Sequence, residues 1–582
     1  MTLNKMQHRT PIAAAAALAA ACGPAFAFEQ IDLGNGLKLD ARINLTYTLA
    51  TRLKNQDPVL KGSSGSNDGN NNFNKNALTA NRLGAFFDGN LSKDASGLVV
   101  SASTFYDDVY HQGNDNNPGN GQPGAGYNPN GVSKAPPFNE FTREARRYHG
   151  GYSRFLDAYG YTSFNVGEQS KLNLRVGRHV VSWGEALFFP GISLAQGPAD
   201  GTKTGVPGTE TKDQLLPEDQ VSFSFELNPR WSILGHAQFN FHPTIAPAPG
   251  SYLNSSDGVG PGGRCLGPWA RLPAVAQAFP NGFEGCSFGN RRDDILPGKT
   301  GQWGLGTRWR ATDETEVGLY YLNYHDRTPV PEINAFTPGT VTPGFFNVPG
   351  NQIGNGSYRV RYFDDVKLIG ATFSTTFNIV TVAGEISYKD GAPVLVNTLV
   401  NPQAPNNPSS YIPNPTRGKV TQFNINAFSN LGRTPIADST ILIGELSYIR
   451  VGKLEARKAP GVENFPAAQQ AFFPASDVAS FATKDALALS FTASLGYPGL
   501  FEGVDLAVPI SYSQQIKGRT LVGGVGGEGD KRYSVGATFT FRGNLSLGLN
   551  YLGFLGDANL ALKTNRLLTD RDQLSLIAKY SF

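Results

Sequence analysis

Residues 532–551, RYSVGATFTFRGNLSLGLNY, contain two runs of alternating residues joined by a Gly-Asn pair. In the first run the odd-numbered positions from Tyr533 to Phe541 are aromatic or aliphatic, and the positions between them are Ser, Gly or Thr. The second run repeats this alternation from Leu545 to Tyr551. Period-two alternation predicts β-strands, and runs of about ten residues with one small or polar face are typical of strands that cross an outer membrane. The stretch therefore predicts a hairpin of two membrane-spanning strands.

The same pattern recurs along the chain and predicts an all-β fold, an antiparallel transmembrane β-barrel of about 18 strands, with about 16 as the alternative count. The strands are predicted near residues 36–54, 80–92, 97–108, 155–168, 171–182, 217–227, 231–241, 301–312, 315–326, 360–378, 381–391, 417–431, 438–453, 484–496, 502–516, 532–542, 545–555 and 572–582. Nine long connections alternate with eight short ones. Because outer-membrane barrels have long extracellular loops and short periplasmic turns, we expect a Gram-negative outer-membrane protein with both termini in the periplasm and short helices in its long loops.

The composition supports a β protein. The 582 residues include 68 Gly and 38 Pro, whereas charged residues make up only 17%. Abundant turn formers with few charges favour a fold of many strands and turns over a helical one. The formal net charge is +3 and no run of Lys or Arg is present, which argues against a nucleic-acid partner.

The N-terminus has the pattern of a signal peptide over residues 1–27, which leaves the barrel over residues 28–582. Two basic residues precede an apolar run, and Ala25 and Ala27 satisfy the A-x-A rule for cleavage. Lipid modification at Cys22 is the alternative, and it is disfavoured because Leu18 lies one position too early for it. The apolar run is too short for a transmembrane helix, and no other stretch approaches about 18 continuous apolar residues.

The two cysteines that remain after cleavage are Cys265 and Cys286, 21 positions apart in a Pro- and Gly-rich stretch. In an oxidising compartment such a pair predicts one disulfide in a surface loop, and two free thiols are the alternative.

The chain ends on DQLSLIAKYSF, residues 572–582. This run predicts the strand that closes the barrel against the first strand, because an open edge in lipid leaves backbone groups without partners. Lys579 is expected to face the lumen near the periplasmic end, and the alternate positions are expected to face lipid: Leu574, Leu576, Ala578, Tyr580 and Phe582. Tyr580 and the terminal Phe582 resemble the C-terminal signal that the barrel-assembly machinery recognises. That machinery and the outer-membrane lipids are therefore expected partners.

Alternation also assigns side chains to the lumen, because positions between lipid-facing residues must point inward. This predicts inward-facing charged or polar residues on four strands: Arg175, His179, Arg308, Arg310, Glu385 and Glu445. The two glutamates lie in the similar strings GEISY and GELSY, an echo that reflects either an internal repeat or the general pattern of barrel strands. Mixed charge argues against a strongly ion-selective pore. The charges either form an ion-pair lattice that holds the barrel shape or contribute to a constriction.

Two long loops contain helix candidates. In residues 109–154, Phe138 and Phe141 with the arginines after them predict a short helix, which either folds into the mouth as a constriction or caps it from outside. In residues 242–300 the string PWARLPAVAQAF predicts an apolar helix, suited either to capture of a hydrophobic ligand or to packing within the loop.

The candidate catalytic residues argue against an enzyme. The histidines show no metal-binding spacing, and neither His149 near Ser153 nor His179 near Ser182 has an identifiable third member. No Gly-rich phosphate loop connects a strand to a helix. We therefore expect no catalytic site, no metal and no cofactor.

Residues 174–200, LRVGRHVVSWGEALFFPGISLAQGPAD, resemble a proteobacterial outer-membrane family catalogued as domain of unknown function 1302. The resemblance rests on the GRxxxSWGE motif and on two further stretches, residues 76–92 and 368–394. It implies that the whole mature chain belongs to the family. Members often occur beside lipoprotein-sorting-like periplasmic proteins and large resistance-nodulation-type exporters, so the resemblance implies these two partners and traffic of hydrophobic compounds or lipids.

The GRxxxSWGE motif lies where the fifth strand enters a long loop. Trp183 suits the aromatic belt at the membrane interface. Arg178 and Glu185 are candidates for the polar lining of a loop-closed mouth, or for a structural ion pair at the corner.

The expected function is a channel or transporter for small hydrophobic compounds that are lipid-, steroid- or aromatic-like. A hydrophilic porin is one alternative, and a structural or adhesive barrel that acts through its loops is another. A loop-filled lumen with an apolar path indicates the first, and an open, charged constriction indicates the second.

Overall fold

A computed structural model describes residues 30–116, 131–272, 283–336, 356–480, 483–521 and 524–582. Within these residues, 18 antiparallel strands form one closed barrel, which confirms the predicted fold and each predicted strand. The strands are β1 (Leu37–Arg52), β2 (Leu78–Lys93), β3 (Ser96–Asp107), β4 (Gly151–Asn165), β5 (Lys171–His179), β6 (Glu218–Asn228), β7 (Trp231–Gln238), β8 (Trp303–Arg310), β9 (Thr315–Tyr324), β10 (Val366–Phe377), β11 (Val380–Leu399), β12 (Tyr411–Thr434), β13 (Ala437–Leu454), β14 (Asp485–Phe501), β15 (Val504–Lys517), β16 (Lys531–Phe541), β17 (Leu545–Leu555) and β18 (Gln573–Ser581).

The barrel closes where its first and last strands pair. β1 and β18 are antiparallel from Asn44 opposite Ser581 to Arg52 opposite Gln573. Closure gives every strand two neighbours, so backbone N–H and C=O groups find partners where no water is available. The final strand is therefore part of the wall to its end, as predicted.

The two faces of the wall differ in polarity as the alternation predicts. Large apolar side chains stand exposed on the outside, among them Leu305, Leu319 and Ile369 at 50–62% exposure. The inner face carries polar residues such as Ser222, Thr372 and Asn424, which are buried inside the barrel. An apolar exterior on a closed barrel is the arrangement of outer-membrane proteins.

Long loops lie at one end of the barrel and short turns at the other. Leu37 pairs with Lys93 beside the turn at residues 94–95, and Ser581 lies beside Asn544 of the turn at residues 542–544. Both described chain ends are therefore at the short-turn end. The long loops contain the short helices α1 (Pro58–Lys61), α2 (Asp68–Asn71), α3 (Arg143–Ala145), α4 (Thr211–Gln214) and α5 (Ala467–Gln470). No helix in the described ranges is long and apolar enough to span a membrane.

The long loops pack into a cap over one end of the barrel. Phe73, Tyr110, Phe141 and Tyr252 come from three loops and share one buried cluster. The predicted short helix is present as α3, continued by a helical turn over Arg146–Gly150, and it belongs to this external cap rather than to a constriction.

The loop at residues 239–302 contains the predicted disulfide between Cys265 and Cys286, whose Cα atoms are 5.4 Å apart. The start of PWARLPAVAQAF is not the predicted helix: Trp269–Leu272 forms a strand that pairs with Phe283–Cys286. Residues 273–279 of the predicted helix lie outside the described residues, as do residues 1–27 of the predicted signal peptide.

Candidate functional site: a loop that fills the barrel lumen

Residues 180–217, which connect β5 to β6, fold into the barrel; we call them the plug loop. Its first half contacts the inner faces of β11, β12 and β13 through residues 185–192. Its second half contacts β1, β3, β4 and β18. Since β3 and β12 lie half a turn of the barrel apart, the plug loop crosses the whole lumen.

The carboxylate of Glu385 on β11 holds the first half of the plug loop. Its Oε2 accepts hydrogen bonds from the backbone N–H groups of Glu185 at 2.9 Å and Ala186 at 3.3 Å, and its Oε1 accepts one from Ile192 at 2.8 Å. Hydrogen bonds to an ionised acceptor are roughly twice as strong as neutral ones. One buried side chain thus fixes both ends of a tight loop segment.

The side chain of Glu445 on β13 continues this arrangement. It accepts hydrogen bonds from the N–H groups of Leu187 and Phe188, both at 2.7 Å. Between the glutamates, Asn424 and Asn426 on β12 donate to backbone carbonyl groups of the same segment. Glu385 lies opposite Asn424 and Asn426 opposite Glu445 in the strand register, so the four side chains form one row across three strands.

Two glycines allow the backbone to approach this row. A Cβ at Gly184 would lie 2.4 Å from Oε2 of Glu385, and one at Gly191 would lie 1.9 Å from Oε1. Gly184 also has a φ of +97°, a backbone conformation that L side chains rarely adopt. The glycine in SWGE is therefore required by both conformation and space.

Ion pairs hold the second half of the plug loop on the opposite wall. Arg154 on β4 contacts Asp200 at 2.7 Å and Asp213 at 2.8 Å. Lys579 on β18 contacts Glu210 at 2.7 Å, which confirms that Lys579 faces the lumen. These pairs support the lattice interpretation of the lumen charges for this part of the wall.

Trp183 lies inside the barrel, so its expected place in the interfacial aromatic belt is wrong. Its ring is 4.9 Å from the ring of His236 and 5.8 Å from that of Tyr320, and the residue is buried. Ile192 is completely buried in the same cluster. The reason is that residue 183 belongs to the plug loop, which leaves the strand inward and takes Trp183 away from the lipid.

At residues 187–188, which we call the apex of the plug loop, the exposed side chains are apolar. Leu187 is 55% exposed and Phe188 is 37% exposed, although the backbone N–H groups of both bind Glu445 inside the barrel. Both oxygens of Glu385 and the Oε2 atom of Glu445 accept hydrogen bonds from backbone N–H groups, and both carboxylates are buried. The surface that the apex presents to the lumen is therefore apolar.

The other predicted lumen residues lie on two strands, β5 and β8. His179 faces inward and contacts Ser222 at 2.7 Å, and Arg175 shares its face. Arg308 contacts the Tyr320 hydroxyl at 3.0 Å, with Arg310 on the same face of β8.

Arg178 does not pair with Glu185 as one interpretation proposed. It points to the outer face of β5 and contacts Asp219 at 3.3 Å, whereas Glu185 lies in the lumen near Arg308. Alternation along β5 is consistent with this position, because residue 178 has the opposite parity to the inward-facing Arg175 and His179.

Sequence reasoning missed several residues of the site, chiefly Asn424, Asn426, Asp200, Asp213, Leu187 and Phe188. The echo of GEISY and GELSY was a signal for the glutamate row, because it places two carboxylates at equivalent depths two strands apart. Among the described residues, no group of three or more His, Cys, Asp or Glu side chains is arranged to hold a metal ion.

Several solved structures resemble this chain at low sequence identity. Similar solved structures include OccK9 (OpdG) from Pseudomonas aeruginosa, at 9% identity and TM-score 0.36 over 94% of this chain and 98% of that one. They also include Salmonella typhi OmpF in complex with daunomycin, at 11% identity and TM-score 0.34 over 95% and 100%. A third is a BenF-like porin from Pseudomonas fluorescens Pf-5, at 9% identity and TM-score 0.38 over 93% and 98%. No curated protein matches the chain significantly. The model of the family described as protein of unknown function (DUF1302) matches residues 9–582, and the chain belongs to that family.

Proposed function

We propose that this barrel carries small hydrophobic compounds, lipid-, steroid- or aromatic-like, across the outer membrane. The observation that carries the proposal is the apolar apex of the plug loop, where Leu187 and Phe188 are exposed in the lumen while Glu385 and Glu445 are buried beneath the loop backbone. An apolar constriction lowers the free-energy barrier to permeation for a hydrophobic solute and raises this barrier for a hydrated one.

A test replaces the apolar apex by polar side chains. We expect cells that produce Leu187→Asn/Phe188→Asn to take up the hydrophobic probe N-phenylnaphthylamine several-fold more slowly than cells with the unchanged barrel. Phe472→Asn is the matched control, because Phe472 is 64% exposed in an outer loop. Fast nitrocefin permeation without hydrophobic uptake by the unchanged barrel would reverse the assignment.

A hydrophilic porin is the second candidate, and one observation favours it. The inner faces of β14 to β17 carry serine and threonine, and Ser511 and Ser534 are half-buried and hydrogen-bonded to each other. A small polar wall beside the plug loop suits water-filled passage. Nitrocefin permeation in the assay above distinguishes this candidate.

We also propose the orientation and the partners. The short-turn end faces the periplasm in this proposal, with both chain ends there, and the long loops, including the one with the disulfide, face outward. A periplasmic lipoprotein-sorting-like carrier and an inner-membrane exporter would then meet the short-turn end. The support is the family resemblance together with the absence of long loops from that end in the described residues. In vivo crosslinking from the turn at residues 502–503 tests it, with no captured carrier as the contradicting result.

A further inference from the structure

A cavity of about 640 Å³ lies on the short-turn side of the plug loop. Its wall comes from β2 to β7, and Tyr159, Tyr161 and Arg175 line it together with Trp183 of the plug loop. Asn173, another lining residue, is close to the turn at residues 166–170, which places the opening at that end of the barrel. The volume is within the range of roughly 300–1,000 Å³ that small-molecule sites occupy.

The charge of this cavity comes from one residue. Arg175 is the only charged side chain among the described residues that line it. No salt bridge to Arg175 occurs within the described part of the chain, whereas Arg154 on the neighbouring strand has two carboxylate partners. Asp157 interacts electrostatically with Arg175. Its carboxylate accepts a hydrogen bond from the Ser101 hydroxyl at 3.0 Å.

The remaining surface is aromatic and aliphatic. The guanidinium carbon of Arg175 is 5.8 Å from the centre of the Tyr159 ring, so the ring covers one side of the cation. Val181 and Leu234 contribute aliphatic surface on the side of the plug loop. A single exposed guanidinium beside such surface matches a ligand with one anionic head and an apolar body.

We propose that this cavity binds amphipathic carboxylates, with the carboxylate on Arg175 and the apolar body against Tyr159, Val181 and Trp183. The inference rests on the proposed function, because it names the chemical class of the compounds that the barrel carries. The guanidinium fork can donate two parallel hydrogen bonds to a carboxylate, which an ammonium group cannot.

The test uses phenylbutyrate and its uncharged counterpart phenylbutanol as probes. Both are titrated calorimetrically into the full barrel in nanodiscs, with empty nanodiscs as the blank. We expect Arg175→Gln to weaken phenylbutyrate binding about tenfold or more, the scale of a lost charged hydrogen bond, and to leave phenylbutanol binding unchanged. Arg175→Lys keeps the charge and should give an intermediate loss. Arg433→Gln, at the exposed end of β12 across the barrel, should behave like the unchanged protein.

Two results would overturn the assignment. One is equal phenylbutyrate affinity in Arg175→Gln, and the other is phenylbutanol binding as tightly as phenylbutyrate in the unchanged barrel. If Arg175→Gln does not fold, Arg175→Lys decides, since unchanged affinity there contradicts bidentate recognition. The titration reports binding alone, so carboxylate binding without hydrophobic uptake would contradict the proposed function and spare this inference. Hydrophobic uptake without carboxylate binding would contradict this inference and leave the proposed function standing.

Discussion

At the scale of single residues, the free-energy cost of burying a carboxylate explains why the plug loop and the barrel wall are held together. Glu385 is 2% exposed and forms no salt bridge within the described part of the chain, yet three backbone N–H groups and the side-chain amide of Asn424 donate to it. A buried carboxylate is strongly unfavourable unless such donors replace water. The plug loop supplies the donors, so the loop and the wall each depend on the other.

Asp68 and Asp257 form a buried acidic pair outside the membrane, in the cap. Asp257 accepts hydrogen bonds from the N–H groups of Asn67 at 2.9 Å and Asp68 at 3.2 Å, and Asp68 accepts one from Ser133 at 2.7 Å. The carboxyl groups of Asp68 and Asp257 also contact each other. Burial raises the pKa of Asp68 to about 6 and raises the pKa of Asp257 well above its ordinary value.

This pair predicts a cap that loosens as the pH rises. A carboxyl group with a raised pKa binds protons more tightly in the folded state, so its contribution to stability falls as pH rises from the ordinary carboxyl range through about 6. We expect Asp68→Asn to make the cap more resistant to protease at about pH 8, by on the order of 1 kcal/mol, and to flatten the pH dependence. Exposed Asp293→Asn is the control. A wild-type cap more resistant at high pH than at low pH would contradict the assignment.

At the scale of elements, the plug loop shows where local sequence stops being informative. The alternation that sets the strands is a property of neighbouring residues, so period two predicted all 18 strands. The path of the plug loop depends on Glu385 and Glu445, which lie 200 and 258 positions from the loop residues that they bind. No local pattern contains such a separation.

The glutamate row predicts a gating phenotype. Because Glu385 and Glu445 bind the same loop segment, we expect Glu385→Ala or Glu445→Ala to release it and to raise single-channel conductance several-fold. The double variant should add little to the larger single effect, since both changes detach one element. Glu314→Ala, in a short turn, is the control. Unchanged conductance in both single variants would show that the loop is held without the row.

At the scale of the whole molecule, closure and the asymmetry of the two ends dominate. The β1–β18 pairing makes the last strand indispensable, and Tyr580 packs against Phe582 with ring centres 4.7 Å apart. Their role as an assembly signal stays a prediction. Among the described residues, long loops lie at one end of the barrel and short turns at the other, and the proposed orientation rests on this asymmetry.

Epitope insertion tests the orientation. An epitope after Asn406, in the connection between β11 and β12, should be accessible to antibody on intact cells. An epitope after Glu502, in the turn between β14 and β15, should be detected only after the outer membrane is permeabilised. Detection of the second epitope on intact cells would place the short turns outside.

The sequence by itself determined the barrel, its strand number, the lipid and lumen faces, the disulfide between Cys265 and Cys286, and the position of Lys579. Each follows from alternation, loop length or compartment, which neighbouring residues encode. Only the tertiary structure decided that Trp183 lies in the lumen, that Glu385 and Glu445 hold the plug loop, and that Leu187 and Phe188 form its apolar apex. These depend on a loop that crosses the barrel to reach buried carboxylates, and contacts between such distant residues are fixed by closure of the wall rather than by local preference.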